Sequence, residues 1–212
     1  MLLLLAVSGP AVPDWVPSDR WEPEVQTFEE ADRQNPPKAG AILFIGSSSI
    51  RLWNTLAEDF AGVDVINRGF GGSEIADSTD LAGRIVVPYR PRMIVLYAGD
   101  NDLANRRSPR QVRDDFAAFV GRVRRDLPGV RIAFIAIKPS LARAYLMEKM
   151  REANALVRDY AAGQRDVAFI DVFTPMLTPE GRARPELFVE DGLHLNRAGY
   201  ELWRSVIAPH LR

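Results

Sequence analysis

Short, unbroken apolar stretches alternate along this chain with longer stretches in which apolar residues recur at helical spacing. Apolar runs of this length, bounded by glycine, proline or charged residues, are typical of strands that are buried on both faces of a parallel sheet. The predicted strands are residues 41–45, 63–67, 93–97, 132–137 and 167–171.

The stretches around these strands predict helices. Ser108 and Gln111 form a capping-box pattern that begins one helix, and Pro128 ends it. The other predicted helices follow residue 49 or cover residues 22–34, 75–85, 144–162 and about 197–210. Alternating helices and strands with short connections predict an α/β fold, a three-layer α/β/α sandwich around a mainly parallel five-stranded sheet.

The overall composition excludes several classes of function. The 212 residues have a formal net charge of -1, so charge gives no reason to expect a nucleic-acid partner. The absence of cysteine rules out disulfides, a thiol nucleophile and thiolate metal ligands. Two histidines cannot form a multi-histidine metal site, and no apolar run approaches the ~20 residues that span a bilayer. We therefore expect no metal and no stable membrane insertion.

The first residues leave the cellular compartment open. Residues 1–7 are apolar but lack the basic residues that begin an export signal. We expect residues 1–20 to be a disordered start or the remnant of an export signal, which leaves the cytoplasm and export as alternatives. Residues 21–212 suit a single domain with one hydrophobic core.

Unusual loops follow three of the predicted strands, at residues 46–49, 68–73 and 99–102. The carboxyl ends of parallel strands open at one edge of a sheet, where ligands bind, so we expect these loops to converge. In the first loop a serine stands where a strand turns into a helix. Backbone N–H groups at a helix start stabilise negative charge, which suits a nucleophile, although an ordinary N-cap serine is the alternative.

Asp191 precedes His194 by three residues, just before the last predicted helix. A carboxylate at this spacing can accept a proton from one imidazole nitrogen and leave the other nitrogen free to act as a base. A capped turn is the alternative interpretation of this pair. The other histidine, His210, has no carboxylate near it in sequence and is interpreted as a surface residue at a helix C-terminus.

Taken together and in this order, these segments resemble the SGNH hydrolases, the GDSL-like esterases and lipases, from about Ala41 to the C-terminus. The four motifs are Gly46-Ser47-Ser48-Ser49, Asn67-Arg68-Gly69-Phe70-Gly71-Gly72, Gly99-Asp100-Asn101-Asp102, and Asp191 with His194. Ser47 and Ser49 replace the aspartate and leucine of the family's first motif. The three adjacent serines therefore leave Ser47 and Ser49 as alternatives to Ser48.

The resemblance implies a flavodoxin-like, SGNH-type sandwich and a set of site residues. Ser48 would be the nucleophile, Asp191 and His194 would complete a triad, and the oxyanion hole would consist of Ser48, Gly72 and Asn101. The implied activity is hydrolysis of carboxylic esters through an acyl-enzyme, without a cofactor. We expect short acyl or O-acetyl groups, including those on carbohydrates, because no long apolar lid segment is visible.

Other functions stay open at this point. The same residues would serve a lysophospholipase or thioesterase, and a relative that binds glycans without hydrolysing them would keep the fold. A phosphate- or nucleotide-binding protein using residues 69–72 is disfavoured, because the loop lacks P-loop and dinucleotide-binding spacing. Lys138, Ser140 and Arg143 follow the fourth strand, either at the rim of the substrate site or as solvated loop residues. The oligomeric state is not predicted.

Overall fold

The computed structural model describes residues 19–212, so the segment for which a disordered start or export remnant was expected lies almost entirely outside the described residues. Five parallel strands form the central sheet, in the order β2-β1-β3-β4-β5. These strands are β1 (Ile42–Gly46), β2 (Val65–Gly69), β3 (Met93–Tyr97), β4 (Arg131–Ile135) and β5 (Val167–Ile170).

Helices cover both faces of this sheet. They are α1 (Glu22–Gln34), α2 (Ser48–Arg51), α3 (Leu56–Asp59), α4 (Ile75–Ile85), α5 (Asp100–Ala104), α6 (Pro109–Asp126), α7 (Met147–Ala162) and α8 (Arg197–Ile207). On one face α4, α6 and α7 pack side by side. On the other, Trp203 of α8 packs against Trp53 and Tyr97. The predicted three-layer α/β/α sandwich with a parallel five-stranded sheet is confirmed.

Aromatic side chains fill the core on each side of the sheet. The rings of Phe44 and Trp53 lie 6.0 Å apart on the face covered by α8. On the opposite face Phe116 of α6 lies 4.9 Å from Phe134 of β4. All five residues of β1 and of β3 are buried. Since successive residues of a strand point to opposite faces, both faces of these central strands are covered. This explains why their sequences are continuously apolar rather than alternating.

Two strands end two residues away from the predicted position. The second strand lies two residues later than expected, because Gly69 pairs with Gly46 and extends the ladder. A Cβ at Gly69 would lie 2.1 Å from the backbone nitrogen of Arg51, so only glycine lets β2 run this close to α2. The fourth strand ends at residue 135, since the side chain of Asn154 binds both the N–H and the C=O of Ile137 at 2.8 and 2.9 Å.

Three helical segments are also shorter than predicted. The helix predicted from residue 144 begins at Met147, after a 3-10 turn over residues 144–146. Residues 50–56 form the end of α2, a turn and the start of α3 instead of one helix. The last α-helix ends at Ile207, and residues 208–211 form a 3-10 turn that contains Pro209. Proline lacks the N–H that a continuing α-helix needs. The described helices include none that is long and apolar enough to cross a membrane.

Candidate active site

Ser48 lies at the first sharp turn after a central strand. The turn depends on Gly46, which has φ +130°, and a Cβ there would lie 1.8 Å from the carbonyl oxygen of Tyr97. The N–H of Ser47 donates to that same oxygen at 2.9 Å, so Ser48 begins α2 at the carboxyl edge of the sheet. Ser47 and Ser49 are each only 1% exposed, whereas Ser48 opens into a cleft. The structure therefore favours Ser48 among the three serines.

The loop after β2 is held against the Ser48 helix by Asn67. Its side-chain amide donates to the carbonyl of Ile50 at 2.7 Å, and its side-chain oxygen accepts from the N–H of Gly69 at 2.9 Å. The N–H of Phe70 donates to the carbonyl of Gly46 at 2.8 Å. These bonds bring Gly72 to the wall of the cleft, where it adopts φ +79°. A positive φ is unfavourable for residues with a side chain, which accounts for glycine at this position.

Asp191 accepts three hydrogen bonds from the loop that carries His194, one of them from the imidazole. One carboxylate oxygen accepts from the N–H groups of Leu193 and His194 at 2.8 and 2.9 Å, and the other lies 2.5 Å from His194 Nδ1. The backbone N–H of His194 is the largest cause that lowers the pKa of Asp191 to about 2, and its imidazole adds to it. Since Asp191 is ionised and can only accept, the proton between them belongs to Nδ1.

Ser48 and His194 meet although 146 residues separate them in the chain. His194 Nε2 lies 3.0 Å from Ser48 Oγ. With its proton on Nδ1, His194 presents Nε2 as an acceptor, and the serine hydroxyl donates to it. Asp191, His194 and Ser48 thus form a continuous hydrogen-bonded chain that ends at a hydroxyl in the cleft. This arrangement can remove a proton from Ser48 as that oxygen attacks an electrophile.

Asn101 reaches the same cleft from the third loop. Gly99 has φ +112°, and a Cβ there would lie 2.6 Å from the side chain of Ile137, so the turn that begins α5 requires glycine. The side-chain amide of Asn101 donates to the carbonyl of Ser73 at 3.0 Å. Its oxygen accepts from Arg143 at 2.9 Å. One amide N–H therefore remains for a ligand in the cleft.

The cleft between these loops has a volume of about 420 Å³ and a mainly polar lining. Its lining consists of Glu24, Ser48, Arg51, Gly71, Gly72, Asn101, Arg143, Leu193 and His194. Leu193 is the large apolar side chain in this set. A larger cavity of about 570 Å³, lined by residues of α1 and of the segment around Tyr89, contains none of the predicted site residues.

The residues expected at the rim occupy two different places. Lys138 and Ser140 are each 1% exposed, so neither is a solvated loop residue and Lys138 does not lie at the rim. Lys138 is buried because its ammonium lies 3.3 Å from a buried carboxylate, that of Asp100. The same carboxylate lies 2.9 Å from the Arg143 guanidinium. Arg143 lines the cleft, but one of its guanidinium nitrogens donates to Asn101 and another lies beside the Asp100 carboxylate.

Burial raises the pKa of the Asp100 carboxyl, but the charges of Lys138 and Arg143 outweigh burial and leave that pKa lowered. Asp100 is therefore a buried anion between two cations, directly beside Asn101 in sequence. Sequence reasoning missed Asp100, and also Arg51 and Glu24 in the cleft. Arg51 follows Ser48 by one helical turn, a spacing that could have indicated it.

His210 lies far from this chemistry. Its carbonyl accepts a hydrogen bond from Arg131, which begins β4, so it is at the opposite edge of the sheet from Ser48. Within residues 19–212 no group of three or more histidine, aspartate or glutamate side chains is arranged to hold a metal ion.

Comparison with known proteins relates most of the chain to one family. The model of the GDSL-like Lipase/Acylhydrolase family matches residues 18–202. The alpha1 subunit of platelet-activating factor acetylhydrolase IB from Rattus norvegicus is 27% identical over 191 residues, which cover 85% of this chain and 78% of the relative.

Solved structures share the fold. A protein of Streptococcus pneumonia, provisionally described as a platelet activating factor, has a TM-score of 0.80 at 23% identity, with 92% of this chain and 94% of that chain covered. A variant of an acetyl-xylooligosaccharide esterase from Geobacillus Stearmophilus has a TM-score of 0.65 at 13% identity, with 82% and 95% covered. From the family match over most of its length, the chain belongs to the GDSL-like lipase/acylhydrolase family and is a carboxylic ester hydrolase.

Proposed function

We propose that this protein is a serine esterase that removes short acyl groups, acetyl above all, from polar alcohols such as carbohydrates. The observation that carries the proposal is the contact between Ser48 Oγ and His194 Nε2 at 3.0 Å, with Asp191 on the far side of the ring. Gly72 and Asn101 line the same cleft and supply the donors that an acyl-transfer reaction needs.

Acylation begins when Ser48 Oγ attacks the ester carbonyl. The O–H bond of Ser48 breaks and its proton passes to His194 Nε2, while a new bond forms between Oγ and the carbonyl carbon. The electron pair of the carbonyl moves to its oxygen. Asp191 stabilises the imidazolium and keeps the ring in the orientation that serves Ser48.

The resulting oxyanion is stabilised by hydrogen-bond donors around the cleft. The backbone N–H groups of Ser48 and Gly72 and the side-chain amide of Asn101 are the proposed donors. Losing one donor of this kind typically costs about 2.7–4 kcal/mol of transition-state stabilisation.

Collapse of the tetrahedral intermediate then breaks the ester C–O bond. His194 returns its proton to the leaving alcohol, and the acyl group stays on Ser48. In the second half of the cycle, water gives a proton to His194 as its oxygen attacks the acyl-enzyme. The carboxylic acid leaves and the proton returns from His194 to Ser48. Both residues then have the protonation states in which they began the cycle.

The lining of the cleft supports a small, polar substrate. Arg51 and Glu24 face it, and Leu193 is its large apolar side chain, which gives a long acyl chain little apolar surface to bury. The names of two relatives agree with this preference, since one is an acetylhydrolase and the other an acetyl-xylooligosaccharide esterase.

Hydrolysis of a series of p-nitrophenyl esters tests the proposal. We expect kcat/KM to be highest for the acetate and to fall through butyrate to octanoate, and acetylated xylo-oligosaccharides to release acetate. Ser48→Ala should lower kcat at least about 10³-fold. Ser205→Ala, on the exposed side of α8, is the matched control and should not change it. Full turnover by Ser48→Ala would overturn the mechanism, and a preference for octanoate would favour a lysophospholipase or thioesterase instead.

A further inference from the structure

Arg143 connects the buried charges beneath the cleft to the side chain of Asn101. One guanidinium nitrogen donates to Asn101 Oδ1 at 2.9 Å, and another lies 2.9 Å from Asp100 Oδ2. The Arg143 side chain is only 17% exposed, and it comes from the segment that follows β4, 42 residues beyond Asn101. A single fork-shaped group therefore contacts two consecutive residues of the third loop.

The carboxamide of Asn101 has two ends of opposite character. Its NH₂ end donates and its oxygen accepts, so rotation by half a turn would exchange a donor for an acceptor in the cleft. A carboxamide oxygen facing the oxyanion would repel it. Arg143 has only donors, so it binds the oxygen of Asn101 and never the NH₂ end. The carbonyl of Ser73 accepts from the NH₂ end at 3.0 Å and reinforces the same orientation.

Arg143 is itself held by the buried carboxylate of Asp100. Asp100 Oδ2 also lies 3.3 Å from Lys138, whose ammonium donates to the Tyr97 hydroxyl at 3.2 Å. The other oxygen of Asp100 accepts from the backbone N–H of Asn101 at 3.1 Å. Asp100 therefore binds both the backbone of Asn101 and the arginine that holds the Asn101 side chain.

From these contacts we infer that Arg143 is a positioning residue: it holds the Asn101 carboxamide with an N–H toward the oxyanion, and Asp100, which also pairs with Lys138, holds Arg143. The inference rests on the proposed function, because it assumes that Asn101 donates to the oxyanion. The guanidinium charge also draws electrons toward Asn101 Oδ1, which strengthens the remaining N–H as a donor. Arg143 thus acts on the reaction through Asn101, not through contact with substrate.

A double-mutant cycle on kcat for p-nitrophenyl acetate tests this inference. Arg143→Gln should lower kcat about 10–100-fold, less than the 10²–10³-fold loss typical of removing an oxyanion donor outright, because Asn101 itself is still present. KM should stay within about twofold of the wild-type value, since substrate binding is untouched. In an Asn101→Ala background the same substitution should change kcat less than about threefold, because the group that Arg143 positions is gone.

Two further variants keep the test decisive if Arg143→Gln folds poorly. Arg143→Lys keeps the charge, but a lysine ammonium lacks the planar guanidinium that contacts Asn101 and Asp100 at the same time. It should therefore lower kcat with KM unchanged, and again only while Asn101 is present. Arg125→Gln, at an exposed position of α6, is the matched control and should leave both constants unchanged. Thermal unfolding confirms that each variant is folded at the assay temperature.

Three outcomes would overturn the inference while leaving the proposed function intact. They are an additive loss in the Asn101→Ala background, a rise in KM at constant kcat, and unchanged kinetics in both Arg143 variants. The proposed function fails separately, if Ser48→Ala retains wild-type turnover.

Discussion

Arg197 donates to both carboxylate oxygens of Asp59, at 2.5 and 2.8 Å. Arg197 begins α8, three residues after His194, whereas Asp59 ends α3, in the segment that follows Ser48. The pair therefore joins the two parts of the chain that contribute the serine and the histidine. Asp59 is 4% exposed in its side chain and also accepts from the indole N–H of Trp53 at 2.7 Å.

The Asp59–Arg197 pair predicts a pH-dependent contribution to stability. Hydrogen bonds from Arg197 are the largest cause that lowers the pKa of Asp59, so the unfolded state binds its proton more readily than the folded state. The stabilisation is complete above the unfolded pKa and is lost as pH falls below about 4. Asp59→Asn should lower the free energy of unfolding by roughly 1–3 kcal/mol at pH 7.

Urea denaturation at pH 7, 5 and 3 measures this effect. The difference between wild type and Asp59→Asn should shrink toward pH 3. A difference that is constant over this range would show that the carboxylate charge contributes nothing.

Asp102 predicts the opposite dependence on pH. It is fully buried, and burial, with Glu74 and Asp100 nearby, raises its pKa to about 7. The folded state then binds a proton that the unfolded state has released between about pH 4 and 7, so stability falls as pH rises through this window. One oxygen of Asp102 accepts from the N–H of Ile75 at 3.1 Å, a bond that an asparagine oxygen can also accept.

Asp102→Asn should therefore equal wild type near pH 4 and be more stable at pH 8, by up to roughly 4 kcal/mol. Thermal unfolding at both pH values checks this. A variant less stable than wild type at pH 8 would contradict the assigned cost of the buried charge.

Two glycines of the site predict different outcomes when replaced by alanine. At Gly46 the new Cβ would lie 1.8 Å from a backbone oxygen, so Gly46→Ala should prevent folding or cost more than about 3 kcal/mol. At Gly72 the nearest atom to a new Cβ is 3.6 Å away, and the cost comes only from φ +79°, about 1–2 kcal/mol.

Gly72→Ala should therefore fold, with a kcat that falls more than its stability, because any relief of strain rotates a proposed oxyanion donor. Circular dichroism and p-nitrophenyl acetate hydrolysis measure the two effects. An unfolded Gly72→Ala variant, or a stable Gly46→Ala variant, would contradict the prediction.

Asp191→Asn tests the orientation of the histidine. An asparagine there can present its NH₂ end to Nδ1 and favour the tautomer with the proton on Nε2, which cannot accept from Ser48. We expect kcat to fall about 10²–10⁴-fold while the free energy of unfolding changes little, since the side chain is 46% exposed. Unchanged activity would mean that the carboxylate of Asp191 does not act through the ring.

Much of the sheet could be predicted from sequence, because a strand buried on both faces is continuously apolar. Residues 93–97 match β3, and the Ser108–Gln111 capping box begins α6 as predicted. Strand ends were harder, because they depend on contacts between distant segments. Asn154 ends β4 from 17 residues away, and no local pattern indicates that bond.

The candidate site likewise combines features that could be predicted from the sequence with features that could not. The loops after β1, β2 and β3 could be predicted to converge, since parallel strands end at one edge. The burial of Lys138 could not be predicted, because a lysine after a strand is usually solvated. It is buried here because Asp100, from another loop, supplies a counter-charge.

Covalent labelling tests the central claim, that His194 activates Ser48, most directly. Wild-type protein should react with a fluorophosphonate probe, and peptide mass spectrometry should locate the phosphonyl group on Ser48 alone. His194→Ala should react far more slowly, and Ser48→Ala not at all. A label on another serine, equal labelling of His194→Ala, or no reaction of the wild-type protein would contradict the account.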